Sequence, residues 1–456
     1  MSARERKLRR LDQLRRSVPY VSASALSKIL DAAVDGIPEI HHRGAIREAR
    51  NLIMHDATPY GPLSNKLRIR RRDGTYIDME IVDPSRICTW PQKTCEGFSE
   101  LIRNTLQDHP NSFEHPWGLV LYSDEVLPGN ALSFANLRKL WSVYWTIFEF
   151  GQCVLADEHA WFCVAAERSE NVKEFDGGIA QLFTVLLKYM FAGPGHQLQN
   201  SGVLLDLYGG GSVRTFLELR MFLQDGGAHK QVFCLKGDGG HHMCIECRNL
   251  YSVANAITEH AELGDADTEH LLTCSLVNYG EMDFATDADV RGTVLRLADV
   301  AAFRPAELEL RQRACGFNHE RFNMILDPAL DNVVNPITQK AHDWMHAMVV
   351  HGVWNVVLVL LVSSLKAAGM GDCTRQIQTY VAQWTLPKRV ATNMQRLGEV
   401  FHPVGGKAAL RRRMLSARHR RRFRCTALFA ATLMQSTFET GSVRPNARPI
   451  CCAVTC

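Results

Sequence analysis

The chain has 456 residues, 46% hydrophobic and 22% charged, with a formal net charge of +4. That length supports two or three domains around a substantial core, and the composition excludes a disordered chain. The 14 cysteines are spread along the sequence, and the basic N-terminus lacks an apolar signal-peptide core. Reduced thiols serving as metal ligands are therefore expected, rather than a disulfide scaffold.

Basic blocks open the chain ("ARERKLRRLDQLRR") and recur near its end ("KAALRRRMLSARHRRRFR"). Such blocks attract phosphate backbones, although a solvated helix face has the same composition. Residues 1–50 read as helical. The stretch "KLRIRRRDGTYIDMEIVD" reads as a β-hairpin turning at Asp73-Gly74, and residues 89–110 as helix.

Next, Gly118–Tyr122 predicts a short buried strand stopping at Ser123-Asp124-Glu125. A turn at Pro128-Gly129-Asn130 leads to an aromatic, β-branched strand over Leu140–Phe150. Residues 156–168 hold a strand or a helix, and residues 177–195 a helix. "SGVLLDLYGGGSVRTFLELRMFLQD" predicts two strands around a glycine turn, the second ending at Gln224-Asp225. Residues 249–312 read as mixed helix, with a cap at Asp287 or Asp289. "HDWMHAMVVHGVWNVVLVLLVSSLKAAG" is the strongest helical pattern. Its stretch 348–365 approaches one membrane span, but His351, Asn355 and the serines interrupt it, so a buried core helix is expected and no membrane. The last 50 or so residues are basic and then patternless.

Three constellations carry chemistry. Asp124 and Asp225 each follow an apolar strand. Two such strands side by side would bring both carboxylates to one divalent cation, Mg²⁺ or Mn²⁺, and a pair of such ions can cut a phosphodiester. Acids also end strands simply as turn residues. Cys244-Ile-Glu-Cys247 is a CxxC knuckle with Cys234 upstream, suited to Zn²⁺. Candidates for a fourth ligand are His241, His242, Cys274 and His346; a redox dithiol and plain buried cysteines are the alternatives. Asp343-Trp-Met-His346 places a carboxylate and an imidazole on one helix face. There the acid can share a metal with the histidine, orient it, or merely favour the helix N-terminus.

"LVLYSDEVLPGNALSFANLRKLWSVYWTIFEFG", "FLQDGGAHKQVFCLKGDGGHHMCIECR" and "HDWMHAMVVHGVWN", in that order, resemble the catalytic blocks of the Kyakuja–Dileera–Zisupton and Plavaka transposases. The likeness covers roughly residues 113–360, through an acid-ended strand, a second acid before a CxxC-R knuckle, and a DxxH block. The resemblance implies an α/β fold: an RNase H-like mixed sheet with a mainly helical, zinc-knuckle-bearing insertion and helical flanks. It implies an N-terminal helical and hairpin region (1–110), the first part of the core (111–235), the insertion (236–340), the DxxH helix with the rest of the core (341–400) and a basic tail (401–456). It further implies DNA as partner, a homo-oligomer, a nuclear location, and strand cleavage and transfer with two Mg²⁺ ions. Asp124 and Asp225 match the first two acids. Cys244 and Cys247 match the knuckle, and Asp343 and His346 match DxxH. The third acid is Asp343 or Glu399. Such elements usually run longer on both sides, so the alternative is a catalytically inactive, transposon-derived DNA-binding or structural zinc protein, cytoplasmic if inactive.

Overall fold

A computed structural model describes residues 45–126, 139–193, 198–251, 272–273, 279–350 and 353–369, with isolated positions in 5–12 and at 376 and 379. The elements, in chain order, begin with helix α1 (Ala45–Met54). The hairpin follows as β1 (Ser64–Arg70) and β2 (Tyr76–Val82), in antiparallel register from Ser64↔Val82 to Arg70↔Tyr76. Its turn forms as expected, because Asp73 Oδ1 accepts from the Thr75 amide and Gly74 takes a positive φ. Helices α2 (Pro84–Thr94) and α3 (Glu96–Asp108) come next, α2 capped by the buried Asp83 carboxylate.

Strand β3 (Trp117–Val126) runs through Asp124 rather than ending before it. β4 (Leu140–Ile147) stops short of Phe148–Phe150, which forms a 3₁₀ turn, and β5 (Phe162–Arg168) settles the helix-or-strand ambiguity there as strand. Helix α4 (Gly178–Leu187) precedes β6 (Val203–Asp206), β7 (Ser212–Thr215) and β8 (Leu217–Gln224). The glycine turn thus closes its own small hairpin, β6 with β7, and β8 is a separate strand. Then come α5 (Gly226–Val232), α6 (Asp287–Phe303), α7 (Leu308–Cys315), β9 (Lys340–His342) and α8 (Val353–Ala367).

Five strands form one mixed sheet in the order β9-β8-β3-β4-β5. β4 and β5 are antiparallel, and β8 and β9 are parallel. β3 lies at the centre and is buried on both faces from Trp117 to Leu121, as a central strand's continuous apolar run requires. Trp145, Phe222, Leu119 and Leu121 are completely buried.

The chain divides into two compact units. One comprises Met1–Tyr122, Leu140–Arg220 and Ala329–Val333; the other comprises Ser123–Lys139, Met221–Pro328 and Val334–Cys456.

Three expectations change. The cap of α6 is Thr286, not Asp287 or Asp289. Its side chain accepts from the Asp289 amide while the Asp289 carboxylate accepts from the Thr286 amide, a reciprocal capping box. The long helix predicted over 342–369 is broken into β9, a π-helical turn at Met345–Val350 and α8. α8 is also not a buried core helix: Val356 and Leu360 are 59% and 60% exposed. Among the described residues no helix is long and apolar enough to cross a membrane. The 401–456 tail, with its basic block, lies outside the described residues.

Candidate active site

Asp124, Asp225, Asp343 and His346 all belong to the second unit. Their placement follows from one lateral row. The parallel register sets Gln224 of β8 opposite His342 of β9. On the other side, Gln224 Nε2 donates to Ser123 Oγ at 2.7 Å, with both side chains buried. An aspartate stands one residue beyond each member of this row: Asp124 after Ser123, Asp225 after Gln224, Asp343 after His342. Side chains alternate along extended chain, so this single step carries the aspartates to the opposite face from the row. The Asp343 amide continues the ladder by donating to the Gln224 carbonyl at 2.9 Å.

His346 is the reporter of this grouping. Its Nδ1 lies 2.6 Å from Asp343 Oδ2, and its Nε2 lies 3.9 Å from Asp225 Oδ2. Its pKa rises above the ordinary histidine value, chiefly through the hydrogen bond to Asp343. Burial opposes this, and the negative charges of Asp343, Asp225 and Asp124 add to it. Burial pushes the Asp343 carboxyl up, but the bond and charge of His346, with backbone amides, outweigh it and leave a net lowering. The DxxH spacing therefore has its acid-orients-histidine form.

Asp225 and Asp343 also hold backbone. Asp225 Oδ1 accepts from the Ala228 amide at 2.6 Å and caps α5, and Asp343 Oδ1 accepts from the Met345 amide at 2.9 Å. Among the described residues no group of three or more His, Cys, Asp or Glu stands ready to hold a metal ion. In donor chemistry the aspartates suit Mg²⁺ or Mn²⁺, which prefer hard carboxylate oxygens. The rival third acid, Glu399, lies outside the described residues.

The cysteine stretch follows α5. Cys234 takes a left-handed backbone (φ 58°), and its carbonyl accepts from the Asn318 amide. Burial, with the nearby charge of Glu320, pushes its thiol up to about 12. The structure does not bring it to the other two cysteines as a metal-holding group. Cys244 and Cys247 do meet, Sγ to Sγ at 3.8 Å. Two thiolates about 2.3 Å from a tetrahedral zinc stand roughly 3.8 Å apart, so this pair fits two corners of such a site. The Cys244 thiol is drawn below its ordinary value, first by its hydrogen bond to Cys247, against burial. The pair also packs with Leu250 and Met282 in a small apolar cluster, so its geometry fits plain buried cysteines as well as two corners of a metal site.

Of the fourth-ligand candidates, His242 is occupied: Nδ1 lies 3.2 Å from the Cys315 carbonyl, and Nε2 bonds the Cys247 carbonyl. Two acceptor carbonyls favour its cation, yet burial prevails and lowers its pKa. It braces the knuckle against α7, which ends at Gly316 (φ 79°), where a Cβ would sit 2.2 Å from the His242 carbonyl oxygen. His241 is buried and its amide donates to the Arg313 carbonyl; His346 is engaged with the aspartates; Cys274 lies outside the described residues.

Sequence reading missed the Ser123–Gln224 bond and the role of β9, because both depend on which strands become neighbours. No family model matches the chain, and no curated protein matches it.

Proposed function

We propose that this chain is an RNase H-like, transposase-related protein that cuts and joins DNA strands by metal-dependent phosphodiester chemistry. One observation carries the reading: Asp124, Asp225 and Asp343 stand one step past a shared row on three neighbouring strands, with His346 among them. A central first strand, antiparallel strands to one side and a parallel pair to the other support the RNase H-like assignment.

Asp124, Asp225 and Asp343 would hold the divalent ions, which supply an activated water and charge stabilisation at the leaving oxygen. The rest falls to the chain itself. The Ser123–Gln224 bond keeps β3 and β8 aligned, so two carboxylates stay at one level. The Asp225 cap fixes that side chain's rotamer, since moving it costs the Ala228 bond. Asp343 anchors His346 Nδ1, which leaves Nε2 as the nitrogen that holds or releases a proton beside Asp225. The Cys244–Cys247 pair would take Zn²⁺ as a structural support.

The test is nicking of supercoiled DNA with Mn²⁺ or Mg²⁺, by wild type and by Asp124→Asn and Asp225→Asn. Nicking by wild type alone supports the reading, and nicking that persists in both variants removes it. A non-catalytic DNA-binding relative is the second reading, favoured by the backbone bonds that already take one oxygen of Asp225 and one of Asp343. It predicts DNA binding without nicking at any divalent ion concentration.

A further inference from the structure

We propose that Glu246, between the paired cysteines, is a positioning residue for Asp343 and His346, acting through Lys340 and His342 of β9. This rests on the active-site reading above and extends it to the knuckle.

β9 needs such an anchor. It is three residues long, Lys-Ala-His, at the edge of the sheet. None of these residues is β-branched or a favoured strand former such as Tyr, Phe or Trp, so little in its own sequence fixes the strand. Lys340 and His342 share one face, and both meet the same carboxylate. The Lys340 ammonium pairs with Glu246 Oε1, and His342 Nε2 lies 3.5 Å from that oxygen. The Lys340 side chain is only 4% exposed and that of Glu246 20%, so the pair is shielded from water, where an ionic contact is worth more.

Glu246 is itself fixed. Cys244 and Cys247 flank it, its carbonyl accepts from the Ala285 amide, and Arg248 just beyond donates its amide to the Asp283 carbonyl. The carboxylate therefore reaches β9 from a rigid base. Gripping alternate residues of a strand fixes the strand's rotation about its axis, and the next residue is Asp343. The same node touches the second acid. His229 belongs to α5, whose cap is Asp225, and its ring meets that of His342 edge-on at 4.9 Å and 85°. The knuckle is thereby tied to the strand that ends in Asp343 and to the helix that begins at Asp225.

The test compares the full-length wild type with Glu246→Gln and with the double variant Glu246→Gln/Lys340→Met, which leaves no unpaired buried charge. Two readouts need no activity: hydrogen exchange at the Asp343 amide and the His346 ring resonances. Loss of the grip should speed Asp343 exchange at least about tenfold in the double variant and shift the His346 resonances, while Ile81 in β2 stays as in wild type. In the nicking assay, kcat should fall at least about tenfold with KM for DNA little changed, because positioning and not DNA binding is lost. Wild-type exchange at Asp343 and unmoved His346 resonances in the double variant overturn the proposal. If the wild type nicks no DNA, the catalytic reading fails, while exchange and resonances still decide whether Glu246 positions the pair.

Discussion

Asp225 does two jobs that substitution can separate. Its Oδ1 caps α5 through the Ala228 amide, and its Oδ2 faces His346 Nε2 at 3.9 Å. Asparagine keeps a side-chain oxygen for the cap and removes the charge; alanine removes both. Replacing a capping aspartate by alanine costs about 1 kcal/mol, whereas asparagine caps nearly as well. About 1 kcal/mol corresponds to a roughly fivefold rise in local opening, at about 1.4 kcal/mol per decade. Hydrogen exchange at Ala228 should therefore quicken about fivefold in Asp225→Ala and stay within about twofold of wild type in Asp225→Asn. The His346 titration midpoint, followed by NMR, should fall in both variants, because the Asp225 charge is one of the contributions that raise it. Equal exchange in the two variants would refute the capping argument. An unmoved His346 midpoint would refute the placement of the Asp225 carboxylate beside the imidazole.

Asp343→Asn should lower the His346 midpoint further than Asp225→Asn, since the Asp343 hydrogen bond is the largest contribution and burial then acts with less opposition; histidine NMR titration reads it. The raised His346 pKa adds stability that is fully present below about 6.5 and lost as pH rises through the folded value. The lowered Asp343 pKa adds stability present above about 3.9 and lost as pH falls through its folded value, so the pair stabilises most between these limits. Thr286→Ala should destabilise α6 by about 1 kcal/mol through loss of the capping box, and Thr286→Ser by far less, as seen in α6 amide exchange. Leu360→Ser on exposed α8 should cost about 0.5 kcal/mol or less, against roughly 3–5 for Phe222→Ala in the core; denaturant midpoints check the ranking.

Where a signal was local, it was legible. The β1–β2 hairpin could be read because Asp73-Gly74 sits between alternating runs. Asp124 and Asp225 stood out because each follows a dense apolar run, although β3 continues through Asp124 to Val126. The Asp343–His346 contact followed from helical spacing, although it forms at a π-helical turn rather than in a regular α-helix. What escaped was set by long-range pairing. Lys-Ala-His carries no strand signature and pairs as β9 along the edge that β8 offers. The apolar run of α8 suggested burial, but hydrophobicity gives an element's preference and not its position, and Val356, Val357, Val359, Leu360 and Leu361 lie exposed. At α6 the acids were seen and the cap placed on them instead of on Thr286: Asp289 is the third helical residue, whose carboxylate reaches back to Thr286.

A purely structural account of the acids would be sufficient if capping used them up. It does not. In Asp225 and in Asp343 alike, Oδ1 takes the backbone amide and Oδ2 turns to the imidazole of His346. The charge of Asp124 acts on the same ring. Like charges drawn together raise one another's energy unless a cation shares the space. The His346 proton supplies that countercharge, which is why its pKa rises. A helix cap or a strand end needs no such convergence from three neighbouring strands. The proposed site accounts for it: divalent ions held by the three aspartates would replace the His346 proton as countercharge, leaving Nε2 as a group that can accept a proton.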